Sequence, residues 1–139
     1  MSTNQTDLIT SILSKSKTIA VVGMSSKTSR PSHGVAAYMQ AHGYRIIPVN
    51  PREAGNIILG EHCYPDLITA AAEHRIDIVD CFRNAADIPP IVEEAIQIAV
   101  PYFWMQSGII NEGAAARAEA AGIKVVMDRC IKIEHRIRL

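Results

Sequence analysis

The sequence has no excess charge of either sign and no long apolar run, and each absence narrows the class of protein. Its 14 basic and 14 acidic residues cancel, so nothing favours nucleic acid or an anionic membrane as a partner. No run approaches the roughly 18 apolar residues of a membrane span. Residues 1–16 lack the basic-then-apolar layout of a signal peptide. We therefore expect a cytoplasmic protein.

Cysteine is also scarce. The three cysteines, Cys63, Cys81 and Cys130, are far apart and odd in number. This spacing favours reduced thiols over a disulfide framework. No C-x-x-C pair occurs, so a metal site is not expected.

Short apolar runs alternate with segments of helical period, which is typical of a parallel sheet with crossover helices. The 139 residues fit one domain. We predict an α/β fold: a doubly wound parallel sheet of five strands with helices on both faces, in a single domain over residues 1–139. Strands are predicted at 18–22, 44–49, 76–82, 102–105 and 124–127. Helices are predicted at 7–13 (within a leading segment, 1–16), 31–42, 65–74, 87–99 and 111–121. The tail, 129–139, fits either a strand or a helix.

Open sheets of this class bind ligands beyond the carboxyl ends of their strands, and the first loop, residues 23–30, suits an anion there. Gly23 allows close backbone approach, Ser25 offers a hydroxyl, and Lys27 and Arg30 add charge. The glycine pattern G-x-G-x-x-G of dinucleotide sites is absent, because Ser25 and Thr28 replace its later glycines. The alternative is a plain polar connection between strand and helix.

The end of the second strand argues against NAD. Dinucleotide sites place an acid there to hold the ribose, whereas this chain has Asn50, Pro51 and Arg52 before the first acid, Glu53. Arg52 could pair with a ribose phosphate, which NADP carries at the 2′ and coenzyme A at the 3′ position. It could equally be a solvated surface charge.

Two further strand ends offer candidate ligand contacts. Phe82 and Arg83 follow the third strand and could flank an adenine and a phosphate. Trp104 lies near the end of the fourth strand, where a ligand would lie, and Gln106 and Gly108 belong to the turn after it, where a pantetheine chain or a diphosphate would pass. The alternative is that both aromatic residues belong to the core and Arg83 is solvated.

No catalytic constellation emerges from the sequence. The five histidines are scattered, and the nucleophile pattern G-x-S-x-G is absent. Cys130 follows the fifth strand beside Arg129, which could activate its thiol. The alternative is an inert, small apolar side chain.

Together these segments resemble the small stand-alone CoA-binding proteins, which are related to the CoA-binding domain of the succinyl-CoA synthetase α subunit. The resemblance runs from about residue 17 to residue 139 and rests on the order and spacing of six segments. They are Gly23-Met24-Ser25, Arg30-Pro31-Ser32, Pro48-Val49-Asn50-Pro51, Asp80-Cys81-Phe82-Arg83, Trp104-Met105-Gln106-Ser107-Gly108 and Val126-Met127-Asp128-Arg129-Cys130-Ile131.

The resemblance implies a Rossmann-like fold with coenzyme A across the strand ends. It places a diphosphate at the first loop, the adenosine and its phosphate at the second and third strand ends, and the pantetheine at the fourth. The residues expected at these three places are Gly23, Ser25, Lys27 and Arg30; Asn50, Pro51, Arg52, Phe82 and Arg83; and Trp104, Gln106 and Gly108.

The function that follows is binding of CoA or an acyl-CoA without catalytic residues, as a carrier, a sensor or a partner of an acyl-CoA enzyme. Ligases of the larger family carry a phosphorylated histidine on a further domain, so ligase activity is not expected of this chain alone. Two alternatives stay open. One is a small NADP-dependent oxidoreductase, and the other is a thiol redox protein in which Cys130 or Cys81 forms a mixed disulfide with CoA.

Overall fold

The computed structural model describes residues 5–139, so residues 1–4 of the predicted leading segment lie outside it. Strands and helices alternate along the chain as predicted. The strands are β1 (Thr18–Val22), β2 (Arg45–Val49), β3 (Ile57–Ile58), β4 (Glu61–His62), β5 (Ile78–Cys81), β6 (Tyr102–Met105) and β7 (Lys124–Val126). The helices are α1 (Gln5–Lys15), α2 (Pro31–Ala41), α3 (Leu67–Ala71), α4 (Ile88–Gln97), α5 (Glu112–Ala120) and α6 (Ile131–Arg138).

Five strands form one parallel sheet in the order β2-β1-β5-β6-β7. The chain passes from β1 to β2 on one side of it, and β5 then lies on the other side of β1. The strand order therefore reverses between β1 and β5, which is where open sheets form a ligand crevice. The short antiparallel pair β3–β4 lies outside this sheet, between β2 and α3.

Helices cover both faces of the sheet, because successive strand residues point to opposite sides. Ala20 and Val22 of β1 pack with α3, α4 and α5 in one apolar cluster. Ile19 and Val21 pack with α1, α2 and α6 in a second. The continuous apolar runs of the strands, buried on both sides, account for the predicted doubly wound α/β architecture, which is confirmed.

Local signals fix most helix ends. Pro31 starts α2, and the Asn111 side chain caps α5 by accepting a hydrogen bond from Ala114 N at 3.0 Å. Asp87 does not cap α4 as its position suggested; its side chain instead pairs with Arg83 at 3.6 Å.

The tail forms the helix α6, which resolves the open alternative between helix and strand. Ile131 is fully buried, whereas Ile133 and Ile137 are exposed. The alternation of isoleucines is therefore not the alternation of a strand. Glu134 and His135 are buried instead, and α6 packs against α1 and α2.

Candidate ligand-binding crevice

A crevice of about 1070 Å³ opens beyond the carboxyl ends of the strands, at the reversal between β1 and β5. Ligand pockets commonly span roughly 300–1,000 Å³, so this one suits a cofactor larger than a drug-sized molecule. It is lined by Gly23, Ser25, Ser26, Lys27, Arg30, Pro31, Ser32, Val35, Asn50, Arg52, Glu53, Phe82, Arg83, Asn84, Ala85, Gln106, Ser107, Gly108, Ile109, Cys130 and Ile133. Ten of the twelve predicted contact residues are therefore brought together here; Pro51 and Trp104 are not.

Gly23 allows the first loop to lie against the end of β5. Its φ is +86°, and a Cβ placed on it would lie 2.5 Å from the Phe82 carbonyl oxygen and 3.0 Å from Arg83 Cδ. A side chain here would be strained and would push these two strand ends apart. The need for glycine thus arises from packing within the protein.

Hydroxyl groups organise the backbone of the first loop. Ser25 N donates to Ser32 Oγ at 3.0 Å, and Lys27 N donates to Ser25 Oγ at 3.1 Å. Ser26 N donates to a carboxylate oxygen of Glu53 at 2.7 Å. These bonds hold the loop open beside the start of α2.

Asn50 ties the second strand end to the first loop. Its Nδ2 donates to the Met24 carbonyl at 2.9 Å, and its Oδ1 accepts from Arg52 N at 3.0 Å. Both polar atoms of this predicted ligand contact are thus used within the protein. Pro51 opens a short 3-10 turn, exposed and outside the crevice lining, while Arg52 points its exposed side chain into the rim.

The crevice is electropositive although the chain has no net charge. Four cationic side chains line it, Lys27, Arg30, Arg52 and Arg83, against one carboxylate, Glu53. Arg83 pairs with Asp87, whereas the other three cations make no ion pair with any residue in 5–139. The hydrogen bond from Ser26 N lowers the pKa of Glu53.

The charges are unevenly placed along the sheet. All four cations follow β1, β2 or β5. The loop after β6 and the start of α6 contribute Ile109, Ile133 and the thiol of Cys130. One end of the crevice is therefore suited to phosphates and the other to an apolar chain.

Cys130 is the one thiol that lines the crevice within the described residues. Cys63 and Cys81 are fully buried, and burial raises the pKa of both thiols. Cys81, the last residue of β5, is therefore unsuited to the mixed-disulfide chemistry that the sequence left open for it.

Trp104, predicted beside a pantetheine, does not line the crevice. Its side chain is fully buried in the cluster with α1, α2 and α6, and its Nε1 donates to the Arg129 carbonyl at 2.7 Å. Gln106 does line the crevice, but its Oε1 accepts from Ile131 N at 3.1 Å. Gly108 N donates to Asp128 at 2.6 Å, so this amide is also taken.

Several lining residues were not predicted. Ser32, Ile133 and Val35 belong to helices whose inner faces a strand-end argument does not reach. Glu53 was considered only as an acid placed too late for NAD. The spacing of Arg30, Pro31 and Ser32 at a helix start was the signal that could have identified Ser32 as a loop-capping hydroxyl.

Residues 5–139 offer neither a metal-binding cluster nor a membrane-spanning helix. No cluster of three or more His, Cys, Asp or Glu side chains there could hold a metal ion. No helix in the same range is long and apolar enough to cross a membrane.

Comparison with known proteins shows which family the chain belongs to. The family model for the CoA binding domain matches residues 17–136. The chain belongs to the CoA-binding domain family. The protein YneT of Bacillus subtilis (strain 168) is 42% identical over 131 residues, which is 93% of each chain.

Solved structures agree with this CoA-binding domain over nearly its whole length. A Thermus thermophilus protein superposes with a TM-score of 0.89 at 33% identity, covering 98% of this chain and 100% of that one. A hypothetical protein from Pyrococcus horikoshii OT3 gives a TM-score of 0.88 at 33% identity, covering 99% and 98%.

The donor set of this CoA-binding domain fits the cofactor that its family name implies. CoA combines three phosphate groups with a neutral pantetheine arm that ends in a thiol. The three unpaired cations of the crevice match the former, and the neutral, partly apolar end after β6 matches the latter. The size, charge and polarity of the crevice are thus mutually consistent.

Proposed function

We propose that the crevice binds coenzyme A or an acyl-CoA, with the diphosphate at the first loop and the pantetheine running toward β6 and α6. The observation that carries the proposal is the separation of charge. Lys27, Arg30 and Arg52 lie at one end without an ion pair among residues 5–139, and Ile109 and Ile133 lie at the other end. An extended ligand with phosphates at one end and an uncharged arm at the other suits this order.

The proposed role is binding without chemistry of its own, by one domain spanning residues 1–139 in the cytoplasm. Such a domain would act as a carrier, a sensor or a partner of an acyl-CoA enzyme. The side chains of Asn50 and Gln106 support a binding role, because their hydrogen bonds hold the crevice walls together.

Isothermal titration with CoA, acetyl-CoA, NAD and NADP tests the proposal. We expect saturable 1:1 binding of CoA and no binding of NAD. Arg30→Gln should weaken CoA binding about tenfold, because a charge-assisted hydrogen bond contributes roughly 1.5–3 kcal/mol. Arg75→Gln is the matched control, since Arg75 is almost fully exposed at the opposite edge of the sheet. Binding of NADP with none of CoA would reject the proposal and favour the oxidoreductase alternative.

Thiol exchange is a second candidate function, favoured by the place of Cys130 in the wall at the uncharged end of the crevice. The Cys130 thiolate would attack one sulfur of CoA disulfide. A protein–CoA mixed disulfide forms, and the second CoA leaves as its thiolate. No other oxidant is needed.

Intact mass after incubation with CoA disulfide tests this second candidate. We expect the mass of one CoA adduct in the wild type and in Cys63→Ser, and no adduct in Cys130→Ser. Absence of any adduct in the wild type, or its persistence in Cys130→Ser, would exclude Cys130 as the exchanging thiol.

A further inference from the structure

Glu53 is the one carboxylate in the crevice, and it sits on the loop that is suited to a phosphate. Its Oε2 accepts from Ser26 N at 2.7 Å, and its Oε1 accepts from Asn56 Nδ2 at 3.1 Å. Both oxygens are thus held, and the charge is fixed at the first loop from the turn that follows β2.

The Ser26 amide differs from its neighbours in the kind of acceptor it meets. Ser25 N and Lys27 N donate to serine hydroxyls, which are neutral and belong to the loop or the start of α2. Ser26 N donates to an anion 27 residues away in sequence. Backbone amides of a loop that precedes a helix are common phosphate donors. The carboxylate therefore occupies a position that a phosphate oxygen could take.

We propose that Glu53 is an internal anion that competes with ligand phosphate for the first loop and so determines how strongly the crevice favours phosphate-bearing ligands. This inference rests on the proposed function. When a phosphate approaches, the Glu53 carboxylate must either leave Ser26 N or remain as a like charge beside the ligand. Both outcomes weaken phosphate binding.

The surrounding charges strengthen the inference. The hydrogen bond from Ser26 N lowers the pKa of the Glu53 carboxyl below its usual value, and the nearby charge of Lys27 adds to this to a smaller extent. Glu53 is therefore anionic near neutral pH. Lys27, Arg30 and Arg52 would supply the positive charge for an incoming phosphate once Glu53 is displaced.

Charge removal at Glu53 tests the proposal. Glu53→Gln keeps an acceptor oxygen for Ser26 N and removes only the charge, while Glu53→Ala vacates the amide. We expect both variants to bind CoA and inorganic pyrophosphate about tenfold more tightly than the wild type, since one like charge is removed at short range. Binding of pantetheine, which has no phosphate, should not change.

Glu61→Gln is the matched control. Glu61 lies in the same segment and pairs with Arg45 at 3.0 Å, outside the crevice lining. We expect its affinity for CoA and pyrophosphate to equal that of the wild type. An equal gain in Glu61→Gln would show a general charge effect and would overturn the assignment to Glu53.

The outcomes separate this inference from the proposed function. If the wild type binds CoA and the Glu53 variants bind it equally or more weakly, the inference is wrong and the proposed function stands. If the wild type does not bind CoA, the proposed function is wrong, and the pyrophosphate arm alone decides whether Glu53 guards an anion site.

A measurement on the wild type removes any dependence on how the variants fold. In a ¹⁵N–¹H NMR titration, pyrophosphate and CoA should move the Ser26 amide resonance, because its acceptor changes from carboxylate to phosphate. A Ser26 resonance that stays in place while Lys27 and Arg30 amides move would contradict the competition.

Discussion

The two faces of the sheet differ in polarity. The face covered by α3, α4 and α5 is closed by apolar side chains. The face covered by α1, α2 and α6 holds the polar residues that are buried within the described chain. Some of them belong to these helices, and Asp80 points to this face by strand register. The buried polar residues are Ser16, Ser32, Asp80, Gln106, Glu134 and His135.

Three of these buried polar residues, Ser32, Gln106 and Glu134, have contacts that involve the walls of the crevice. Gln106 holds the first amide of α6. Glu134 on the same helix accepts from Arg138 at 2.9 Å and pairs with Arg129 at 3.5 Å. Ser32 fixes the first loop. The apolar face therefore chiefly stabilises the fold, whereas the polar face sets the position of the binding residues.

Asp80 is the buried polar residue whose role the contrast between the two faces explains least. Its replacement should have the largest effect on stability. Its Oδ1 has no hydrogen-bond partner, and burial raises the pKa of the carboxyl well above its usual value. The unfolded chain releases this proton at lower pH than the folded protein does. Stability that is fully present below the unfolded pKa is therefore lost as pH rises toward the folded pKa, by up to about 1.4 kcal/mol per pH unit.

Asp80→Asn removes this titration. We expect the variant to be more stable than the wild type at pH 8, with the difference shrinking toward pH 4. Urea unfolding across that range measures it, with Glu119→Gln, an exposed carboxylate on α5, as the control. Parallel pH profiles of the wild type and the Asp80→Asn variant would show that Asp80 titrates in the folded protein as it does in the unfolded chain.

Val92→Ala sharpens the comparison from the apolar face. Val92 of α4 is fully buried, so the deletion should lower the free energy of unfolding by about 2 kcal/mol through lost burial and a residual cavity. CoA affinity, measured by calorimetry in the same buffer, should stay within twofold of the wild type. A large loss of affinity at unchanged fold would mean that the apolar face also positions the site.

Gln106→Leu tests the polar face directly. The change leaves Ile131 N without its acceptor and should cost about 1–2 kcal/mol of stability. It should also weaken CoA binding several-fold, because Cys130 and Ile133 lie at the start of the freed helix. Gln97→Leu, at the exposed end of α4, is the control and should change neither quantity. Unaltered binding in Gln106→Leu would remove the link between this face and the crevice.

His135→Gln should have the smallest effect on stability. The pH dependence that it removes runs in the opposite direction to that of Asp80. Burial and the neighbouring His42 lower the pKa of His135. Its folded pKa therefore lies below its unfolded one, so stability is present above the unfolded pKa, roughly 6.5, and lost as pH falls through the folded value. The variant should lose this slope, which thermal melts at pH 5.5 and 7.5 can resolve. An unchanged slope would assign the dependence to another group.

The sheet was predictable because its strands are buried on both faces and therefore appear as continuous apolar runs. The helix starts at Pro31 and Asn111 were predictable from local capping chemistry. The tail was not, since α6 buries His135, whose hydrogen bond and ring contacts come from the distant residues Tyr38 and Tyr44.

The site was predictable in location and less so in detail. The loops after β1, β2, β5 and β6 meet because parallel strands end at one edge. Trp104 does not line the crevice, because alternation along β6 turns its side chain into the core. There it is paired in register with Asp80 and Val126. The bond from Ser26 to Glu53 spans two loops, and no local pattern indicates it.

A crystal structure of the protein with coenzyme A would show directly where the cofactor binds and in which direction it lies. We expect the diphosphate within hydrogen-bonding distance of residues 23–30, and the CoA sulfur at the end formed by Ile109, Cys130 and Ile133. A cofactor bound in the reverse direction, or at a surface away from the β1–β5 reversal, would contradict it.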